Sequence, residues 1–195
     1  MKWYKYDIRD LTDAEYQKWY RQMSKEKQNR VDKLRLDADK KRTVAGEMLA
    51  RKAIAEYLGV NAEDIIFAFG ENGKPYVKDL NVEFNISHSG DFAVCAVNET
   101  PIGIDVEKLR PVDLRVAKRV CDKEELFYLF GKAPEASEFV YTEKKELITR
   151  FFEIWTAKEA CVKQIGSGIK DIGVKPETLN VETSGFDGYI VSVAY

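Results

Sequence analysis

The sequence has only three cysteines and one histidine among its 195 residues, and this scarcity excludes several classes of protein. Cys95, Cys121 and Cys161 are too few and too widely spaced for a disulfide framework or a cysteine-rich zinc site, so we expect reduced thiols. No segment approaches the ~20 apolar residues of a membrane-spanning helix, and the first residues lack the apolar run of a signal peptide. The net charge of −2 gives no general basicity for nucleic-acid binding. We therefore expect a cytoplasmic protein that binds neither membranes nor nucleic acid.

The rest of the chain alternates between helix and strand patterns and indicates an α+β protein. Short polar residues at Thr12, Ser24 and Asp122 predict three helix starts. Long amphipathic helices are predicted at residues 39–59 and from Thr142 to Gln164. Alternating or apolar-rich runs predict strands at residues 2–8, 64–70, 75–77, 84–87, 91–97, 102–108 and 189–195.

The two long helices share a charge pattern. Each carries a glutamate followed four residues later by a base, Glu47 and Arg51 in the first helix and Glu159 and Lys163 in the second. The apolar strands "GDFAVCAV" and "DGYIVSVAY" are also similar. Two related halves, each with a main helix against a small sheet, would explain both matches, and chance similarity between amphipathic helices explains them equally well.

Asp105 and Glu107 stand two residues apart in the predicted strand "IGIDVEK". Side chains at that spacing point to the same face of a strand. A solvated strand face tolerates two neighbouring carboxylates at little cost. A hard divalent cation such as Mg²⁺ is the alternative, because it binds carboxylates together with phosphate and water.

The stretch "FFEIWTAKEACVKQIGSG" places charge on a helix that its aromatic residues set into the core. Glu159 and Lys163 are an i, i+4 pair, which on a surface contributes only about 0.2–0.5 kcal/mol. At the edge of a buried stripe, Glu159 could instead complete an acidic trio with Asp105 and Glu107, while Lys163 meets an anionic oxygen. His88, in "NISHSG", is either a structural residue or part of a polar group that hydrogen-bonds phosphate.

In combination these motifs resemble the 4′-phosphopantetheinyl transferases, and more closely the larger, pseudodimeric kind that activates peptide and polyketide synthetases. The segments that carry the resemblance are "NISHSGDFAVCAV", "PIGIDVEKLRP" and "FFEIWTAKEACVKQIGSGI". The "GKP" motif and the basic N-terminal segment also fall where that kind has them. The resemblance covers most of the chain, from about Lys27 to Ile169.

The resemblance implies a set of site residues. Asp105, Glu107 and Glu159 match its Mg²⁺ ligands, and Glu125 stands where some members carry a further acidic residue. Implied contacts to coenzyme A come from Lys27, Arg30, Thr43 and Lys74 at the adenosine end and from Ser87, His88, Asp105, Lys158, Glu159 and Lys163 at the phosphates.

The implied reaction moves 4′-phosphopantetheine from coenzyme A to a serine of an apo acyl, peptidyl or aryl carrier protein and releases 3′,5′-adenosine bisphosphate. Glu159, directly or through a metal-bound water, is the first candidate for the base, and Glu107 is the second. Lys163 would stabilise or protonate the leaving phosphate. Two alternatives are a Mg²⁺-dependent phosphohydrolase acting on a nucleotide or coenzyme A, and a non-catalytic carrier-binding module, which the intact trio argues against.

The implied fold is α+β, with two similar α/β halves related by a pseudo-twofold, each a long helix packed on a small, mostly antiparallel sheet. Residues 1–101 would bind the adenosine end of coenzyme A, and residues 102–195 would carry the metal site and the catalytic helix. Because two fused halves place the site within one chain, we expect a monomer. The sequence stops at Tyr195 after its last predicted strand, so we expect contacts made by a C-terminal tail in larger members to be absent.

Overall fold

The computed structural model describes residues 1–70, 75–78, 80–166 and 179–195, which form six α-helices and ten β-strands. The helices are α1 (Asp13–Gln22), α2 (Lys25–Asp32), α3 (Asp37–Leu58), α4 (Ala117–Val120), α5 (Lys123–Phe130) and α6 (Lys145–Ile165). The strands are β1 (Lys2–Asp7), β2 (Phe67–Phe69), β3 (Pro75–Val77), β4 (Glu83–Ser89), β5 (Phe92–Asn98), β6 (Gly103–Lys108), β7 (Val112–Asp113), β8 (Tyr141–Thr142), β9 (Val181–Phe186) and β10 (Tyr189–Ala194).

The first half is a three-stranded antiparallel sheet, in the order β1-β5-β4, with α3 packed on it. Met48 and Ile54 of α3 are fully buried with Phe84 of β4 in the main apolar core. The helix begins two residues before its predicted start. It ends at Gly59, whose φ of 70° is the left-handed conformation that glycine adopts without a side-chain clash.

The second half is built around β6, β10 and β9, paired antiparallel in that order, with α6 against β6 and β10. Phe151 and Phe152 point into a separate apolar cluster beneath α4 and α5. The helix begins at Lys145, three residues later than predicted, because Thr142 instead pairs with Val112 in the small β7-β8 sheet.

Strand β9 was not predicted from the sequence. Its segment "VETSGF" is polar and largely exposed, so the apolar alternation that usually indicates a strand is missing. The signal that predicts it is the Asp187-Gly188 turn, because Asp-Gly between strand residues favours a two-residue hairpin. Both residues have positive φ, 47° and 80°, as such a turn requires.

The two halves share one topology. Each runs strand, long helix and hairpin, and in each the last hairpin strand lies between the other two strands of the sheet. The predicted α+β fold with two similar halves is thereby confirmed. In the described part of the chain, no helix is both long enough and apolar enough to cross a bilayer.

The two sheets meet at their edge strands, β4 and β6, and β4 contributes side chains rather than backbone to the junction. Outward N–H groups of an edge strand need partners when they are buried. Polar side chains at alternate positions of β4 accept them: Ile104 N donates to Asn85 Oδ1 (3.1 Å), Val106 N to Ser87 Oγ (3.4 Å) and Lys108 N to Ser89 Oγ (3.1 Å).

Candidate active site

Asp105 is a buried carboxylate at the junction of the two halves. Only 5% of the residue is exposed, and its Oδ1 accepts hydrogen bonds from Ser87 Oγ (2.8 Å) and Lys163 Nζ (2.6 Å). Burial raises the pKa of Asp105, and the positive charge of Lys163 offsets only part of that rise. The site therefore holds an aspartate whose ionised form is disfavoured unless further positive charge arrives.

Glu107 reaches β4 in the same way, two residues further along β6. Its Oε2 accepts hydrogen bonds from Ser89 Oγ (2.9 Å) and from a guanidinium nitrogen of Arg110 (2.9 Å). Asp105 and Glu107 thus occupy one face of the strand, and each receives a hydroxyl from β4.

Helix α6 lies unusually close to β6 because Gly103 has no side chain. A Cβ atom at Gly103 would come within 1.9 Å of the Ala160 carbonyl oxygen and 2.5 Å of Gln164 N. This contact brings Lys163 to Asp105. Its ammonium also donates to Ser87 Oγ (3.0 Å) and the Ile104 carbonyl (3.3 Å), so its three donors have acceptors.

Glu159 lies one helical turn before Lys163 and is half-buried. Desolvation raises the pKa of Glu159, the charge of Asp105 raises it further, and the charge of Lys163 opposes both. Among the ion pairs of the described residues, Lys163 pairs with Asp105 rather than with Glu159. A carboxylate with a raised pKa is a better proton acceptor than an ordinary glutamate.

The acidic residues fit an open site for a hard divalent cation. Asp105 Oδ2 is buried and accepts no hydrogen bond from the described residues. Mg²⁺ binds such oxygens and usually completes its shell with substrate phosphate and water. The described residues contain no group of three His, Cys, Asp or Glu side chains placed to hold a metal by themselves. The predicted trio is therefore not assembled into one cluster, and Asp105 and Glu107 are the pair that the strand brings together.

A cleft of about 450 Å³ opens beside this acidic pair and is lined by both halves of the molecule. Seven of the residues implicated by the sequence line it: Lys27, Thr43, Ser87, His88, Asp105, Glu107 and Lys163. Residues from distant parts of the sequence thus share one concave surface, with cationic side chains from both halves.

Lys27 enters the cleft from α2 and is held by a buried glutamate. Its Nζ lies 2.9 Å from Oε2 of Glu47, which is 3% exposed, and Oε1 of Glu47 accepts from Arg51 at 2.9 Å. The guanidinium of Arg51 is also bonded to backbone carbonyls of Gln22 and Ile65. The sequence analysis identified the spacing of Glu47 and Arg51 but assigned no role to it. A pattern within α3 cannot show that Lys27 of α2 pairs with Glu47.

His88 lies at the accessible surface where the cleft opens. The protein atoms around its ring remove part of its hydration and lower its pKa, and the charges of Lys163 and Arg42 lower it further. Its neutral form is therefore favoured at neutral pH in the free protein. A neutral imidazole can donate or accept one hydrogen bond beside a phosphate.

Of the implicated residues that the structure describes, four do not line the cleft: Arg30, Glu125, Lys158 and Glu159. Lys158 points to the other side of α6, since residues five apart lie on roughly opposite sides of a helix, and its Nζ pairs with Glu125 Oε1 at 2.9 Å. Arg30 pairs with Glu26 on the exposed face of α2. Glu159 is half-buried near the acidic pair, and Lys74 lies outside the described residues.

Two family models together match nearly the whole chain. The model described as 4′-phosphopantetheinyl transferase, N-terminal, matches residues 10–100, and the model of the 4′-phosphopantetheinyl transferase superfamily matches residues 101–192.

Curated bacterial proteins are similar over most of the chain. The 4′-phosphopantetheinyl transferase psf-1 of Bacillus pumilus is 36% identical over 174 residues, which is 87% of this chain and 70% of the relative. The transferase Sfp of Bacillus subtilis (strain 168) is 35% identical over 84% of this chain and 69% of the relative. The transferase gsp of Aneurinibacillus migulanus is 36% identical over 75% of this chain and 57% of the relative. The chain therefore spans between 57% and 70% of the length of these relatives.

Proposed function

The chain belongs to the 4′-phosphopantetheinyl transferase superfamily, and from this membership and its cleft we propose that it transfers 4′-phosphopantetheine from coenzyme A to a serine of an apo-carrier protein. The observation that carries the proposal is the shared cleft, in which Lys27 of the first half faces Asp105, Glu107 and Lys163 of the second. The relatives are named as transferases, and nothing favours the phosphohydrolase alternative.

Coenzyme A is a polyanion, and the cleft offers it one lysine from each half, Lys27 and Lys163. Residues of the first half, among them Lys27 and Thr43, would hold the adenosine end. Ser87 and His88 at the end of β4 would contact the phosphates next to the junction. The second half would then carry the metal site and the catalytic helix. In this proposal the first half comprises residues 1–101 and the second half residues 102–195.

Asp105 and Glu107 are the residues we propose to hold Mg²⁺, and Glu159, which feels the charge of both, is the third proposed ligand. The free buried Oδ2 of Asp105 supports this assignment. A bound Mg²⁺ would neutralise charge on the pyrophosphate and favour in-line attack. It would also supply the positive charge that the buried aspartate lacks.

The chain's own residues would manage the proton and the leaving group. The carrier serine forms a bond from its oxygen to the β-phosphorus, and the bond from that phosphorus to the bridging oxygen breaks. Glu159, whose pKa is raised by desolvation and by Asp105, would take the serine proton, with Glu107 as the second candidate. Lys163 would stabilise the departing 3′,5′-adenosine bisphosphate by exchanging one of its present acceptors for phosphate oxygen.

We further propose that the protein acts as a monomer in the cytoplasm. Both walls of the cleft come from one chain, so the site needs no second copy. The three cysteines are unpaired thiols, which fits a reducing compartment. Sedimentation of the active protein at the mass of a dimer or trimer would contradict the monomer.

The direct test is incubation with coenzyme A, Mg²⁺ and a panel of apo-carrier proteins, followed by intact-mass measurement. We expect a carrier to gain one phosphopantetheine group, and no gain when its acceptor serine is replaced by alanine or when Mg²⁺ is chelated. Breakdown of coenzyme A at the same rate without any carrier would support the phosphohydrolase instead.

A further inference from the structure

Ser89, at the end of β4, makes two hydrogen bonds to β6 that define the orientation of its hydroxyl. Its Oγ accepts from Lys108 N at 3.1 Å and donates to Glu107 Oε2 at 2.9 Å. A serine hydroxyl has a single proton. Because the backbone N–H occupies an acceptor position, that proton is directed at the carboxylate.

The same arrangement occurs one strand period earlier. Ser87 Oγ accepts from Val106 N at 3.4 Å and also from Lys163 Nζ at 3.0 Å, and it donates to Asp105 Oδ1 at 2.8 Å. Side chains of a strand repeat every second residue, so two serines of β4 face two carboxylates of β6. Each serine uses one oxygen of its carboxylate. The other oxygen of Asp105 is left without a hydrogen bond from the described residues.

We propose that Ser89 is a positioning residue for Glu107, as Ser87 is for Asp105, and that it orients the glutamate toward the cation. The inference rests on the proposed function, in which Glu107 binds Mg²⁺. Groups that hydrogen-bond a metal ligand without touching the metal change metal affinity by roughly 10–100-fold when they are removed.

Arg110 does not replace Ser89, although it also donates to Glu107 Oε2. Its side chain also donates to the Lys108 carbonyl at 3.1 Å, but it is 56% exposed, so its pairing with Glu107 is screened by water and salt. Ser89, in contrast, is half-buried. Arg110 still donates a hydrogen bond to Glu107 when Ser89 is replaced. We therefore expect a loss of metal affinity near tenfold, the lower end of the 10–100-fold range.

The test uses three variants of the full chain. Ser89→Ala removes the hydroxyl, Ser89→Thr keeps it on a side chain suited to a strand, and Ser184→Ala removes an exposed hydroxyl from β9 as a matched control. Binding of Mn²⁺ in the presence of coenzyme A, without any carrier protein, is measured by electron paramagnetic resonance. A thermal melt of each variant reports folding.

We expect Ser89→Ala to weaken Mn²⁺ binding about tenfold, with Ser89→Thr and Ser184→Ala near wild type and all melts similar. In the transfer assay, the half-saturating Mg²⁺ concentration of Ser89→Ala should rise by the same factor, while that of coenzyme A at saturating Mg²⁺ is unchanged. Unchanged Mn²⁺ affinity in Ser89→Ala, or equal weakening in Ser89→Thr, would overturn the inference. Wild-type protein that binds Mn²⁺ and shows the Ser89 effect but modifies no carrier would overturn only the proposed transfer.

Discussion

Helices α3 and α6 each carry a glutamate followed four residues later by a base, and the two pairs behave differently. Glu47 and Arg51 of α3 are 3% and 4% exposed and pair with each other at 2.9 Å. Glu159 of α6 is half-buried, and Lys163 reaches across to Asp105 instead. The α3 pair is closed by contacts within the protein, since Lys27 also pairs with Glu47 at 2.9 Å, whereas Glu159 and Lys163 of α6 do not pair with each other in the described structure.

The strands beneath the helices explain the difference. The central strands of the two sheets, β5 and β10, begin at Phe92 and Tyr189. The residue three positions further along each central strand pairs with Tyr4 of β1 in the first sheet and with Asp105 of β6 in the second, so Tyr4 and Asp105 occupy equivalent positions. Tyr4 donates to Glu56 and carries no charge of its own. A lysine on α6 meets a buried carboxylate there, whereas a base on α3 finds its counter-ion on its own helix. The same topology therefore supports a structural ion pair in one half and the proposed catalytic lysine in the other.

Replacing Asp105 should have the largest effect. Asp105→Asn removes a proposed metal ligand, so we expect transfer to fall by at least ~10³-fold. Tyr4→Phe, at the matching position of the other sheet, should leave transfer unchanged. If Asp105→Asn turns over near the wild-type rate with Mg²⁺ as the only metal, Asp105 is no more important for transfer than Tyr4, and the proposed functional difference between the two sheets is wrong.

Asp105→Asn should also change stability in a definite direction. Burial raises the pKa of Asp105, so the folded protein binds this proton more tightly than the unfolded chain. The free energy of unfolding therefore decreases as the pH rises through the interval between the ordinary and the raised pKa. The variant should melt higher than wild type at neutral pH, and the gap should narrow as the pH is lowered toward about 4.

Lys163→Ala should lower the single-turnover rate by ~10²–10³-fold at saturating coenzyme A, because it removes a charge that we propose acts on the departing phosphate. Coenzyme A affinity should fall less, since Lys27, the proposed contact at the far end, is unchanged. Lys52→Ala, an exposed lysine of α3, is the matched control. A rate within about threefold of wild type for Lys163→Ala would make α6 as structural as α3.

Arg51→Leu should affect folding rather than the chemical step. It leaves the buried Glu47 with Lys27 as its remaining cation, a change that costs about 1–3 kcal/mol and lowers Tm by roughly 2–12 °C in a chain of this size. Denaturant titration and a thermal melt measure both. A melt that coincides with wild type would show that the closed pair of α3 is not a structural element.

The smallest expected effect is on the pH dependence of transfer. Desolvation and the charge of Asp105 raise the pKa of Glu159, so kcat/KM should begin to fall at a higher pH than an ordinary glutamate gives, by about tenfold per pH unit below that point. Glu159→Gln should lose both the rate and this acidic limb. A profile that stays flat down to the ordinary glutamate pKa would assign the base elsewhere.

Local patterns predicted much of the fold. The helix starts predicted at Thr12 and Asp122 were confirmed, and both residues form capping boxes with reciprocal hydrogen bonds. Both long helices and most strands were predicted within a few residues, because each depends on periodicity and capping within one short segment. The polar strand β9 was missed because its partner, rather than its own apolar pattern, makes it a strand.

The amino-acid sequence by itself determined which groups could react: two carboxylates on one strand face and a Lys-Glu-x-x-x-Lys cluster on a helix, in the order typical of one family. Only the tertiary structure decided which of those groups meet. Because Gly103 has no side chain, α6 packs close to β6, and Lys163 thereby reaches Asp105. The polar side chains of β4 orient both carboxylates. Lys158 pairs with Glu125 on the opposite side of the same helix. Such contacts join residues far apart in the chain, and their energies depend on distance and burial, which no local pattern contains.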